Sequence, residues 1–325
     1  MNEHLDRRKL LIGLAGASLA AGIGGGTAQA APRRGFFRRV GLPVGLQLYT
    51  LGDEPRADID ATFARLAAIG YRDIELSQLY GRSPAQIRAA ADRAGLAISA
   101  MHLAVSTQPV PDPASLMLNS DPQRIADGLG ALGARAGVMP IAPFPPNMKP
   151  RPGESYMATI PRSFAEAGAD HWKRTAALLN ERAALLKPLG VTLGYHNHNF
   201  EFAPLGNTTG WEVLMRETDP SLVFVEADVG WVAAAGLDPV AFLRRYSGRV
   251  RWLHVKDLKS ETLPNFALSM APTEVGSGKQ DWARILPAAY RAGVRHFYVE
   301  QEPPFAMPRM EAAAKSHAYL AQLRA

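Results

Sequence analysis

The feature that most constrains this chain is an alternation. From Val44 onward, short apolar runs give way to longer amphipathic ones, and the unit recurs eight times. The runs predict strands at Val44–Tyr49, Tyr71–Leu76, Ala97–Val105, Ala136–Ile141, Val191–His196, Leu222–Asp228, Val250–Lys256 and His296–Glu300. Helical periodicity follows each, at Ile59–Ile69, Pro84–Ala94, Pro122–Leu132, Phe164–Leu186, Gly210–Thr218, Pro239–Tyr246, Asp281–Ala292 and Pro308–Leu323. Ser83 stands where it can cap the second helix, with Pro84 in the first turn. Strand–helix alternation of this kind builds a parallel sheet covered by helices. Eight units close it as an α/β protein, a single-domain (β/α)8 TIM barrel. No Gly-x-Gly-x-x-Gly follows the first strand, which argues against an open dinucleotide-binding sheet.

Residues 1–30 stand outside this pattern. Arg7-Arg8-Lys9 precede a Gly/Ala-rich apolar stretch that ends in Ala28-Gln29-Ala30, a small-x-small cleavage pattern. They resemble a twin-arginine export signal, so a periplasmic location is expected, with the barrel occupying 31–325. The alternative is a membrane anchor, but the apolar stretch is short against the ~20 residues a spanning helix needs. No stable membrane insertion is therefore expected after cleavage.

The formal net charge of +6 owes much to Arg7, Arg8, Lys9, Arg33, Arg34, Arg38 and Arg39. Beyond them the charges mix without a basic helix, so no nucleic-acid partner is expected. The absence of cysteine excludes disulfides and thiolate metal sites. A homo-oligomer is left open. The segment Met139–Gly153 carries Pro140, Pro143, Pro145, Pro146, Pro150 and Pro152. It follows the fourth strand, where it either covers a site or is an inert insertion.

In such barrels the site forms where strands end. The predicted strand ends carry Gln47 and Tyr49, Glu75, His102, His196-Asn197-His198, Glu226 with Asp228, His254 with Lys256, and Glu300. Burying so many ionisable groups without partners is costly. Imidazole and carboxylate together suggest one divalent metal, with Mn, Mg, Fe, Co and Zn all compatible. Residues two apart on a strand share a face, so each of these strands offers two candidates. The residues alone leave His196 and His198 as alternative ligands. Gly276-Ser277-Gly278-Lys279 looks like a phosphate cradle but lacks the strand-then-helix setting of a P-loop, so it reads as structural.

The segment Tyr195-His196-Asn197-His198-Asn199-Phe200-Glu201-Phe202 resembles one branch of the sugar phosphate isomerase/epimerase family, within the xylose-isomerase-like barrels. Asp219-Pro220, Asp228-Val229-Gly230-Trp231, Gly248-Arg249, His254-Val255-Lys256-Asp257, Val275-Gly276-Ser277-Gly278 and Val299-Glu300-Gln301 extend the likeness from about Gly45 to the C-terminus. The resemblance implies a divalent metal held by Asp228, His254 and Glu300. His196 falls where the family's epimerases carry glutamate. It also implies a small-molecule sugar or keto-sugar substrate and proton abstraction beside a carbonyl, through a metal-stabilised enediolate.

In the epimerases the two ligand glutamates act as opposed bases, so histidine at 196 removes one of them. Glu300 is the expected base, with Glu75, His102 or Lys256 supplying the acid. Gln47, Tyr49, His102, His198 and Glu226 are the expected substrate contacts. The family points to a sugar isomerase or epimerase. The missing base points to a lyase or hydratase of a keto-sugar or keto-glycoside. A non-catalytic periplasmic sugar-binding barrel is the alternative of another class.

Overall fold

Eight parallel strands close into a barrel in the order β1-β8-β7-β6-β5-β4-β3-β2. They are β1 (Gly45–Gln47), β2 (Asp73–Leu76), β3 (Ala97–His102), β4 (Ala136–Met139), β5 (Thr192–His196), β6 (Val223–Asp228), β7 (Val250–Val255) and β8 (His296–Val299). The computed structural model describes residues 35–106 and 115–325. The expected export signal, residues 1–30, lies outside the described residues. Closure is the pairing of β1 with β8, Gly45 opposite Tyr298 and Leu46 opposite Val299.

The covering helices are α1 (Ile59–Ile69), α2 (Pro84–Ala94), α3 (Pro122–Leu132), α4 (Tyr156–Leu186), α5 (Gly210–Glu217), α6 (Pro239–Arg245), α7 (Trp282–Ala292) and α8 (Arg309–Gln322). The strands are buried on both faces, which is why they read as continuous apolar runs rather than alternating ones. Leu46, Ile74, Val138, Val225 and Leu253 are fully buried within them. The predicted start of α2 is a reciprocal cap: Gln86 N donates to Ser83 Oγ at 3.3 Å, and Ser83 N donates to Gln86 Oε1 at 2.8 Å.

Element edges differ from the expectation in informative ways. The first strand ends at Gln47 rather than Tyr49. Gln47 Oε1 accepts a hydrogen bond from Tyr49 N at 3.1 Å and turns the chain into a 3-10 helix over Leu48–Leu51. The third strand stops at His102, and Lys256 and Glu300 stand one residue past their strands. The helix expected from Phe164 begins at Tyr156, where Ser155 Oγ accepts from Ala158 N at 3.2 Å. Pro161 is carried inside it, and the break falls instead at Gly168 (φ 67°, ψ −169°). A short helix, Val229–Ala234, intervenes between β6 and α6 and was not expected. Among the described residues, no helix is long and apolar enough to cross a membrane.

Candidate active site

The strand ends gather a buried cluster of ionisable groups around the imidazole of His254. On its Nδ1 edge this ring meets Glu300 Oε2 at 2.8 Å and Asp228 Oδ2 at 3.8 Å. On its Nε2 edge it meets Glu75 Oε2 at 2.7 Å and Glu226 Oε2 at 3.1 Å. His254, Glu75, Glu226 and Asp228 are all solvent-inaccessible. Register shifts fall at Ile74/Glu75 and Val225/Glu226, so the ladder is irregular where two of these carboxylates enter. Bulges beside active sites re-aim side chains in this way.

Glu226 is a second hub. Its Oε2 lies 3.1 Å from His102 Nε2, 3.1 Å from His196 Nδ1 and 3.1 Å from His254 Nε2. Lys256 is a third. Its fully buried Nζ lies 2.8 Å from Asp228 Oδ2, 2.8 Å from Glu300 Oε2 and 3.0 Å from Glu302 Oε1. Gln47 Nε2 donates to Glu75 Oε2 at 2.9 Å and approaches His102 Nε2 at 3.3 Å.

These contacts decide the charges. Burial alone disfavours every ion here. Burial and the neighbouring Glu226 push the Glu75 carboxyl up to about 8. Burial also opposes ionisation of Glu226, but His254, His102 and His196 outweigh it and hold that carboxylate well below its usual range. Glu300 is likewise held low against burial by Lys256 and His254. Asp228 ends raised, burial prevailing over Lys256 and His254. Glu226 and Glu300 lift His254 well above the ordinary imidazole range despite burial. Burial and the charge on His254 drive His196 well below it. The Tyr49 phenol is raised to about 12 by Glu302, burial and Glu300.

The residues between the ionisable groups hold the geometry. Tyr195 Oη donates to Glu201 Oε1 at 2.9 Å, and Glu201 Oε2 accepts from His198 N at 3.0 Å. Asn197 clamps the end of β6: its Oδ1 accepts from Asp228 N at 3.0 Å and its Nδ2 donates to Asp228 O at 3.2 Å. Asp228 Oδ1 caps the following helix through Trp231 N at 2.9 Å, which leaves Oδ2 for the cluster. A Cβ on Gly230 would stand 2.7 Å from Lys256 Cγ, so only glycine admits the lysine stem. The Gly-Ser-Gly segment after β7 wraps a protein carboxylate rather than a phosphate. Asp257 accepts from the N–H groups of Leu258, Gly276, Gly278 and Gln280 and from Trp282 Nε1.

Most of the sequence candidates meet here. His196, Asp228, His254 and Glu300 each offer a ligand atom within 4.8 Å of the others, and so do His102, His196, Glu226 and His254. His198 is in neither grouping. It sits at the rim, 3.8 Å from Glu201, its ring stacked on Phe200. Tyr49, 45% exposed, is also at the rim. A divalent cation fits this chemistry on two counts. The donors are carboxylates and imidazoles; His196 is held neutral, the form a metal takes, and His254, held protonated by Glu226 and Glu300, would give up its proton to a cation bound there. Glu75 Oε1 and Glu226 Oε1 are also buried without a hydrogen-bond donor. Glu302 and Trp231, which line the cavity, were not anticipated. Glu302 stands two residues past Glu300, the same spacing that singled out the other pairs.

Comparison with known proteins agrees with this geometry. The sequence profile of the xylose isomerase-like TIM barrel family matches residues 63–323. An inosose dehydratase of Geobacillus kaustophilus is 26% identical over 216 residues, 63% of this chain and 63% of that protein's own length. An inosose dehydratase of Lacticaseibacillus casei is 24% identical over 303 residues, 86% of this chain and 94% of that protein. A crystal structure of a sugar phosphate isomerase/epimerase from Parabacteroides distasonis superposes with a TM-score of 0.67 at 24% identity, covering 91% of this chain and 96% of that one. The matched stretch thus spans under two thirds of the Geobacillus protein and nearly all of the Lacticaseibacillus one. The chain belongs to the xylose isomerase-like TIM barrel family.

Proposed function

We propose that this protein is a divalent-metal-dependent enzyme that removes a proton beside the carbonyl of a keto-sugar and expels a hydroxyl or glycosyl group from the next carbon. The observation that carries this is the division of labour between two carboxyls on opposite edges of His254. Glu300 lies 2.8 Å from His254 Nδ1, where Lys256 and His254 hold its carboxyl low, and Glu75 lies 2.7 Å from Nε2, where burial and Glu226 raise its carboxyl. Environments that split two like groups in this way assign a base and an acid.

A divalent ion at His196, Asp228, His254 and Glu300 would supply Lewis acidity at the carbonyl and offset the negative charge that develops there. Glu300, which lines the cavity, takes the proton. Lys256 keeps Asp228, Glu300 and Glu302 paired with positive charge. Glu75 gives its proton to the departing oxygen. The C–H electron pair becomes the new C=C bond, the C–O pair leaves with the oxygen, and no oxidant or reductant is needed. Gln47 fixes the orientation of Glu75 by donating to it.

Supporting this order of events, the curated relatives named above are dehydratases, and His196 leaves the strand-five position without a carboxylate base. Isomerisation or epimerisation is the second reading, favoured by the placement of Glu75 and Glu300 on opposite sides of one ring. There the same anion is reprotonated instead of losing its substituent. NMR of metal-replete protein with free and glycosidic keto-sugars in deuterated water tests both. Loss of water or alcohol without an epimer supports elimination, and an epimer carrying solvent deuterium without elimination overturns it. Bound but unchanged sugar would leave only a binding barrel. We also propose periplasmic export, carried by Arg7-Arg8 and Ala28-Gln29-Ala30, which cell fractionation of the full chain tests.

A further inference from the structure

The cavity above the ionisable cluster measures about 580 Å³, the range of sites that enclose a drug-sized ligand. Its floor is polar: His102, His196 and Glu300. Its two walls are not. One wall is Ile141, after β4, together with Met157 and Ile160 from the first turns of α4. The other is Trp231, Leu268 and Met270, which pack together after β6 and β7. A sugar gains from such walls only through its C–H faces, and every hydroxyl placed against them loses its water.

Two details suit these apolar groups to a ligand rather than to the core. Met157 is 53% exposed at the mouth, so its side chain is not needed to fill the core. Leu268 has φ 52°, a conformation uncommon for any side chain but glycine and costly for a bulky one. It is fixed there by Asn199, whose Oδ1 accepts from Leu268 N at 3.1 Å and whose Nδ2 donates to Asn265 O and Oδ1.

From this we infer that the substrate is a keto-glycoside carrying an apolar, ring-bearing aglycone: the oxidised sugar sits on the ionisable floor and the aglycone between Met157–Ile160 and Leu268–Met270. The inference rests on the reaction proposed above and adds the substrate class. For a 3-keto-β-glucoside, the proton leaves C2, the C1–O bond breaks with its electron pair on the aglycone oxygen, and that oxygen is protonated to the free phenol or alcohol.

Calorimetry with two unoxidised probes, 4-nitrophenyl β-glucoside and methyl β-glucoside, tests the aglycone site without any turnover. The aryl probe is expected to bind at least ~10-fold more tightly, the worth of burying one ring partly. Met157→Ala and Leu268→Ala should each cut that ratio about threefold or more. Equal affinities, or a ratio that both variants leave intact, overturn the inference. Deuterium exchange at C2 of methyl 3-keto-β-glucoside separates the two ideas. Exchange without aryl preference sinks the substrate class and keeps the reaction. Aryl preference without exchange or aglycone release on the matching keto-glycoside keeps the subsite and sinks the reaction.

Discussion

Glu75 and Glu300 carry the same functional group, and only their neighbours distinguish them. Glu75 has no cation to itself and is buried beside Glu226, so it keeps its proton to about pH 8. The rate is therefore expected to fall as pH rises through about 8. Glu75→Gln should remove that limb and lower kcat by about 10²–10⁴, the usual worth of a general acid. The same group affects stability. Its folded value lies above its unfolded one of 4.5, so its stabilisation is complete below pH 4.5 and is lost as pH rises to about 8. With metal chelated, wild type should lose up to about 1.4 kcal/mol per pH unit across that window relative to Glu75→Gln, read by urea unfolding. Metal analysis discriminates the two ligand groupings that share His196 and His254. Asp228→Asn should empty the site while Glu226→Gln retains most of the metal, and the opposite result would move the ion to the His102 side. Gly230→Ala forces the Lys256 stem aside and is expected to cost about 1–3 kcal/mol, the penalty of overpacking. The identities of these residues were legible because strand ends project them to one rim. Their protonation states were not, because each depends on partners brought in from other strands.

At the scale of elements, periodicity located the eight strands and the eight covering helices, missed the short Val229–Ala234 helix and misplaced several ends. The errors have causes. Gln47 uses its own side chain to start a turn, which no hydrophobic pattern announces. Pro161 looks like a helix boundary, yet the break falls at Gly168, where nothing but backbone conformation requires it. The Gly276–Gly278 segment was legible as structural, but its occupant was not. Asp257 is adjacent in sequence to the ionisable rim and faces away from it, toward five N–H donors. Asp257→Ala should orphan those donors and cost about 3 kcal/mol or more in urea unfolding, whereas Ser277→Ala, exposed in the same segment, should be within about 0.5 kcal/mol of wild type.

Across the whole molecule, the eightfold alternation was enough to give the closed barrel, because a parallel sheet of that length with both faces buried has few other ways to finish. What sequence alone left undetermined was the cavity's two-sided character. Ile141, Met157 and Leu268 are separated by up to 127 positions and carry no motif; only closure of the ring brings their loops together. A cation that binds the folded cluster and not the unfolded chain should, at 100 times its dissociation constant, stabilise the barrel by about 2.7 kcal/mol, visible as a Tm that falls on chelation. The Lys256 and His254 hubs carry a longer consequence. Several carboxyls lean on each, so replacing either hub strands its partners. New substrates should therefore be reached more readily by rewriting the loops that carry Met157 and Leu268 than by replacing Lys256 or His254. Descendants of such a barrel should differ in what they grip long before they differ in the bond they break.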